Sequence, residues 1–291
     1  MQQNGEEAPF EDGDSWVILS DIERSIKQKV EAIGTPLSDW DVNIYRGILT
    51  GYNDAFIIST QKRDEILASC ESEAERERTA EIIRPILRGR DIHRYGCEWA
   101  NQWVIATFPA RHYDIDDYPS LKSYLLSIGI EKLEQTGAEH IINGQKVKAR
   151  KKTNNKWFET QDSISYWDDL SKPKIVWGNL NQTASYAYAD GTLFINAPGT
   201  MIVPASKYLL GTLNSKLADF YIRSLGVVRN AGYFEYKPMF VSKLPVILSV
   251  AESEEESFSK LIDDHDEAAI DKRVYELYGL TEEEANYLEN W

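Results

Sequence analysis

Between Pro173 and Val203 the chain carries four short runs rich in aromatic and β-branched residues, at 174–177, 185–189, 193–195 and 201–203, each closed off by glycine, asparagine or proline. Runs this short, fenced by turn formers, suit strands and cannot supply a helix with enough turns. Sheet dominates that stretch. Helical patterns flank it. Residues 20–33 place Ile22, Ile26, Val30 and Ile33 on one stripe that stops at Gly34 and Pro36. Residues 206–225, with Leu209, Leu213, Leu217 and Phe220 in phase, predict a helix terminated at Gly226. In the tail, Ile262, Ala269, Ile270, Val274 and Leu277 predict one long acidic helix broken at Gly279, and Thr281 with Glu284 forms a capping box for a last short one. Earlier in the chain, 42–49 and 54–59 predict two strands around a tight turn at Thr50-Gly51-Tyr52-Asn53. Residues 73–87 predict a helix, 99–108 a strand, and 118–134 a helix with a weak point at Gly129. No repeat of 20–50 residues recurs, which excludes a solenoid or propeller. The expected fold class is α+β: a mixed, sheet-rich body with flanking helices and a C-terminal helical segment. Its expected organisation is an acidic, disordered tail at 1–15, a connecting helix at 16–41, the sheet-rich domain at 42–250, and an acidic helical segment at 251–291 packing on the body.

Charge narrows the function. The 291 residues hold 32 Lys and Arg against 47 Asp and Glu, a formal net charge of −15. Spread evenly, that charge would repel a polyanion. It is not spread evenly. Residues 1–41 hold 3 basic and 10 acidic side chains, a net −7, and residues 251–291 hold 3 and 14, a net −11; the 26 basic and 23 acidic side chains between them leave the middle at +3. Within that middle, 141–158 contains Lys146, Lys148, Arg150, Lys151, Lys152 and Lys156 and no acid, interleaved with Asn143, Asn154, Asn155 and Trp157. A second basic group, Arg84, Arg88, Arg90 and Arg94, is offset only by Asp91. Either run alone reads as a solvated loop; two of them on an acidic chain, with amides and aromatics among the charges, point to a phosphate-facing surface.

The chemistry of a self-sufficient enzyme is missing from the motifs. His93, His112, His140 and His265 have no metal-ligand spacing, and no phosphate-cradling glycine loop, dinucleotide fingerprint or nucleophile elbow occurs. Adjacent carboxylates such as Asp116-Asp117 and Asp168-Asp169 are expected by chance in so acidic a chain. Cys70 and Cys97 are too few for a disulfide framework, so a reduced, cytoplasmic setting is expected, and Cys97 has no adjacent base to activate it. No stretch approaches the roughly 20 apolar residues of a bilayer span, and the acidic first fifteen residues lack the pattern of a signal peptide. No metal, cofactor or membrane partner is expected for the chain itself.

Six segments, in order, carry a resemblance: Arg-Gly-Ile-Leu-Thr-Gly-Tyr-Asn-Asp-Ala-Phe-Ile-Ile at 46–58, Arg-Pro-Ile-Leu-Arg-Gly-Arg-Asp-Ile at 84–92, Pro-Lys-Ile-Val at 173–176, Leu-Asn-Ser-Lys-Leu-Ala-Asp-Phe-Tyr at 213–221, Leu244-Pro245, and Ile-Asp-Lys-Arg-Val-Tyr-Glu-Leu-Tyr-Gly-Leu-Thr-Glu-Glu-Glu at 270–284. Together they resemble the TaqI-like C-terminal specificity domain, the target-recognition domain of type IIG restriction-modification enzymes and related adenine-specific DNA methyltransferases. The resemblance spans about residues 16–290. It implies a module that reads double-stranded DNA while a methyltransferase domain, using S-adenosylmethionine, methylates adenine N6, with Mg²⁺ needed where a nuclease is also present. The chain departs from the whole enzymes in having no Pro-Pro pair, hence no catalytic Asn/Asp-Pro-Pro-Tyr/Phe motif, and no Pro-Asp…Asp/Glu-x-Lys nuclease motif. Neither activity is expected of this chain, which reads as a recognition module excised from, or encoded apart from, its catalytic part. Leu49 stands where the family often has lysine.

A recognition domain needs a sequence-blind hold on phosphates and side chains that read base edges. Arg150, Lys151, Lys152, Lys148 and Lys156, with Arg88 and Arg90, are the expected phosphate contacts. Arg46, Tyr52, Asn53, Asn179 and Asn181 are the expected base contacts, since Asn pairs with adenine and Arg with guanine in the major groove. The alternatives are local: Thr50–Asn53 as a plain hairpin turn, Arg88 and Arg90 as ion-paired residues beside Asp91, Trp157 and Trp177 as core. The rival functions are a protein-interaction or scaffold module without DNA affinity, and a stand-alone enzyme using a carboxylate pair.

Overall fold

Lys174–Trp177 pairs antiparallel on one side with Tyr186–Ala189 and on the other with Thr200–Val203, which in turn pairs with Asn43–Arg46. The computed structural model that shows this describes residues 19–225, 232–248 and 250–291. The expected acidic tail at 1–15 and the expected helix stop at Gly226 lie outside those residues. A second four-stranded sheet runs in the order Phe194–Ile195, Ile83–Leu87, Gln102–Ile105, Ile57–Ser59, with its first pair parallel and the others antiparallel.

The two sheets share a core. Val176, Ala187, Met201 and Val203 from the first pack with Ile86, Val104, Phe194 and Ile195 from the second. Because successive side chains of a strand point to opposite faces, Ile175, Trp177, Tyr186 and Ile202 face the other way, into a core built with the terminal helices. Ile58, Ile83 and Ile105 likewise face a third core, closed by Thr60–Ala68, Glu73–Ile82 and Pro119–Ile128. Burial on both faces explains why Ile175, Val176 and Trp177 of this strand read as a continuous apolar run rather than an alternation. The architecture is thus mixed and sheet-rich, with helices on its outer faces, as expected.

Four local expectations are corrected. Residues 42–59 are not a hairpin: Asn43–Arg46 and Ile57–Ser59 belong to different sheets, and Asn53–Phe56 makes one helical turn between them. The helix expected at 73–87 ends at Ile82 and continues as the strand Ile83–Leu87. Pro85 is the reason, since it has no N–H to donate and biases Arg84 toward extended backbone. The 206–225 helix is two, Lys207–Asn214 and Lys216–Leu225, broken at Ser215. Asn214 is buried at this break, where its amide both donates to and accepts from the backbone of Tyr186 at 2.9 Å, taking the place of a neighbouring strand. The acidic tail is likewise two helices, Glu252–Asp263 and Glu267–Leu277, separated where His265 turns to φ 55° and Asp266 caps Ala269. The capping box at Thr281 is present, and Glu284 also reaches Ser25 and Lys29 of the first helix, Asp21–Ile33.

Candidate nucleic-acid interface

The basic segment begins on a hairpin, Glu139–Ile142 paired with Gln145–Lys148, and then turns inward. Ala149 and Arg150 are buried, whereas Lys148, Lys151 and Lys152 on either side are exposed. Arg150 is only 4% exposed. Its Nε donates to the Leu133 carbonyl at 2.8 Å, Nη1 to the carbonyls of Thr50 at 2.8 Å and Glu159 at 2.7 Å, and Nη2 to that of Trp157 at 2.6 Å. Its guanidinium carbon lies 4.9 Å from the centre of the Phe56 ring. Burial pushes this guanidinium down to about 10, against the pull of the Glu159 carboxylate, and it remains a cation at neutral pH. The phosphate contact expected of Arg150 is therefore corrected: its hydrogen bonds point into the protein, where it clamps four segments together.

That clamp shapes a groove. The turn at Gly51, held through the Thr50 carbonyl, faces the basic loop across an open concavity of about 510 Å³, lined by Gly51, Tyr52, Lys148, Lys151, Lys152 and Gln161. Among the described residues none of these three lysines pairs with a carboxylate. Gly51 has φ 79°, so the backbone favours glycine there, and a Cβ would stand 2.7 Å from Gln161 Oε1, displacing the end of that side chain. Gln161 was not among the expected contacts. Its backbone N–H donates to Leu49 at 3.1 Å, which puts a primary amide beside the turn from over a hundred residues away, and nothing in the local sequence marks it.

The other expected residues divide. Arg46 is exposed and bridges to Asp162 at 2.5 Å, beside Gln161, and its carbonyl accepts from the Tyr166 hydroxyl at 2.6 Å. Asn53 is exposed, with Oδ1 accepting from the Thr50 hydroxyl at 2.7 Å. Lys156 is exposed, its ammonium 5.4 Å from the Phe158 ring centre. Trp157 is half-buried and Trp177 fully buried.

Arg88, Arg90, Asn179 and Asn181 form a second locus, where the backbones of Gly89 and Gly178 meet. Arg88 is committed to Asp91, with Nε at 2.9 Å and Nη2 at 2.7 Å from the two carboxylate oxygens. Burial would raise the Asp91 carboxyl, but the hydrogen bonds from Arg88 hold it below the usual carboxylate range. Arg90 is exposed. Asn179 accepts from the Thr200 hydroxyl at 2.6 Å, and Asn181 donates to the Gly178 carbonyl at 2.8 Å, so each amide has one end engaged locally. Thus Tyr52, Lys148, Lys151 and Lys152 are brought to one groove, and Arg88, Arg90, Asn179 and Asn181 to another part of the surface.

Cys97 is half-buried and burial pushes its thiol up, opposite to the shift that activates a cysteine. Among the described residues no three His, Cys, Asp or Glu side chains gather as a metal site, and no helix is long and apolar enough to cross a membrane.

Comparison with known proteins bears on this arrangement. The profile of the TaqI-like C-terminal specificity domain matches residues 84–246, more than half of the chain. Over 280 residues the chain is 20% identical to the type II methyltransferase M.PaeR7I of Pseudomonas aeruginosa, covering 94% of itself and 44% of that protein. It therefore spans less than half the length of this curated relative. Among solved structures it is similar to the type IIG restriction endonuclease BpuSI, with a TM-score of 0.52 and 11% identity, over 91% of this chain and 33% of that one. It is also similar to the type IIL restriction-modification enzyme MmeI, solved in complex with DNA, with a TM-score of 0.51 and 12% identity, over 88% and 37%. At these identities the structural likeness is one of fold.

Proposed function

The chain belongs to the TaqI-like C-terminal specificity domain family, and on that premise we propose that it is the sequence-specific DNA-binding module of a restriction-modification enzyme. The observation that carries this reading is the groove, where three exposed lysines, without carboxylate partners among the described residues, face Tyr52 and the amide of Gln161. Phosphate oxygens need the first kind of group and base edges the second. In this reading the module holds duplex DNA for adenine N6 methylation by a methyltransferase domain outside this chain, in the parent protein or a partner, which supplies S-adenosylmethionine chemistry. A parent that also cleaves DNA would use Mg²⁺ in a separate nuclease domain. The acidic terminal helices, repelling phosphate, favour the approach of DNA from the basic side.

The test is binding of a fluorescent duplex across a salt series. Neutralised phosphates release counterions, so log K falls with log salt by about 0.9 per phosphate contact. The Lys148→Ala, Lys151→Ala, Lys152→Ala triple variant is expected to fold normally and to lower that slope by about 3. An unaltered slope would remove the groove from the interface, and absence of duplex affinity at low salt would instead support a protein-interaction module.

A further inference from the structure

Ile141 is 77% exposed, the most exposed large apolar side chain among the described residues. A lone exposed isoleucine means little by itself; its setting gives it meaning. In the ribbon, Ile141 lies opposite Lys146, and its neighbour on the same face, Glu139, lies opposite Lys148. The opposite face, with His140, Ile142 and Val147, is half-buried, and the ribbon leans on the short helix Ile130–Leu133. Asn143 and Gly144, at φ 51° and φ 79°, close the tip with the positive-φ pair of a type I′ turn, the tight two-residue link that matches strand twist. The outward face is therefore an isoleucine flanked by lysines. Lys148 belongs at once to this face and to the groove wall, so the two surfaces are continuous. Glu139, the one acid on that face, lies 3.7 Å from the Lys146 ammonium, which offsets its charge.

Resting on the reading of the groove as a duplex interface, we propose that this ribbon enters the DNA major groove, with Ile141 against a thymine C5-methyl group and Lys146 and Lys148 directed at flanking phosphates. Two strands lie about 4.8 Å apart and, with side chains, match a major groove about 12 Å wide without deforming the duplex, whereas the minor groove, about 6 Å wide, would have to be widened to take them. The thymine methyl is the apolar group on the major-groove edge of the base pairs, and it is the natural counterpart of an isoleucine that has no other cover.

The experiment selects duplexes from a randomised-core pool with the full chain and with Ile141→Ala. The wild-type consensus is expected to contain a thymine whose replacement by deoxyuridine weakens binding about fourfold, the worth of one buried methyl. Ile141→Ala is expected to bind the thymine duplex about tenfold more weakly and to be indifferent to deoxyuridine at that position. Ile141→Leu, which keeps an apolar end, is expected to retain the discrimination. A consensus without thymine, a wild-type chain indifferent to deoxyuridine, or an Ile141→Ala chain that reproduces the wild-type consensus overturns the assignment while leaving DNA binding standing. A chain that retains no duplex at low salt removes both.

Discussion

Arg150 Nη1 donates a 2.8 Å hydrogen bond to the carbonyl of Thr50, one hundred residues earlier in the chain. With its bonds to Leu133, Glu159 and Trp157, this makes the arginine a brace in the groove wall whose guanidinium is spent on the protein's own carbonyls. Arg150→Met keeps much of the apolar stem but strands buried carbonyls without donors, each costing about 1–3 kcal/mol. Allowing for partial relaxation, we expect a loss of about 3–5 kcal/mol in chemical denaturation. Lys151→Ala and Lys152→Ala, on exposed side chains, should leave the unfolding midpoint in place and weaken only DNA binding. Equal effects of all three on stability would refute the division.

Arg88 and Arg90 make a second such pair, two residues apart with opposite expectations. Asp91 is 6% exposed and receives two side-chain donors and the backbone N–H of Arg88. Arg88→Ala leaves that carboxylate short of its cation, at a cost of about 3 kcal/mol. Because the folded Asp91 carboxyl is held below its ordinary range, its contribution is present above that range and lost as pH falls through it. Thermal melts on acidification should therefore show a step in the wild type that is smaller in Arg88→Ala, where only the backbone N–H of residue 88 remains as donor. Arg90→Ala should melt like the wild type and bind duplex with a shallower salt dependence.

What could be read in the sequence followed from how local each interaction is. The strand Lys174–Trp177 was legible because burial on two faces writes itself as an uninterrupted apolar run over its last three residues. The capping box of Thr281 and Glu284 was legible because its partners are three residues apart. The turn at Gly51 was misread as a hairpin because the partners of its flanking strands, Thr200–Val203 and Gln102–Ile105, lie far along the chain. The same distance hid the groove. A run of basic residues looks alike whether each side chain meets solvent or carbonyl oxygens, and only the tertiary structure separates Arg150 from Lys151. Gln161 was invisible for the same reason, since Leu49, which orders its backbone, is remote in sequence.

Gly51 tests how closely the turn and the basic loop fit. An alanine there takes on an unfavourable left-handed backbone at φ 79°, worth about 1–2 kcal/mol, and its Cβ meets Gln161 Oε1 at 2.7 Å and Arg150 Cδ at 3.1 Å. The end of Gln161 can swing aside, whereas Arg150 is fixed by its carbonyls. Gly51→Ala should therefore destabilise by about 1–2 kcal/mol in urea unfolding and also weaken duplex binding by displacing Gln161 from the groove. Retention of wild-type stability would show that the turn relaxes to another backbone conformation.

The last prediction concerns pH, and it comes from the packing of the acidic tail against the body. Asp271 is 3% exposed and accepts the backbone N–H of Lys216 at 2.8 Å, at the start of the helix Lys216–Leu225. Burial pushes its carboxyl up to about 6, against the opposing influence of that hydrogen bond and of Arg94. The folded chain thus binds this proton more tightly than the unfolded chain, whose carboxyl sits near the ordinary 3.8. The stabilisation is full below about pH 4 and is lost as pH rises through about 6; at neutral pH the ionised carboxylate costs on the order of 3 kcal/mol relative to the acid limit. Asp271→Asn keeps a carbonyl oxygen for Lys216 and carries no charge. Urea unfolding should show the variant more stable than the wild type by about 2–3 kcal/mol near pH 7, with the two converging near pH 4 as the wild-type carboxyl takes up its proton. Parallel stability curves across that interval would mean that water or the Arg94 guanidinium solvates the carboxylate well enough to cancel the cost of burial.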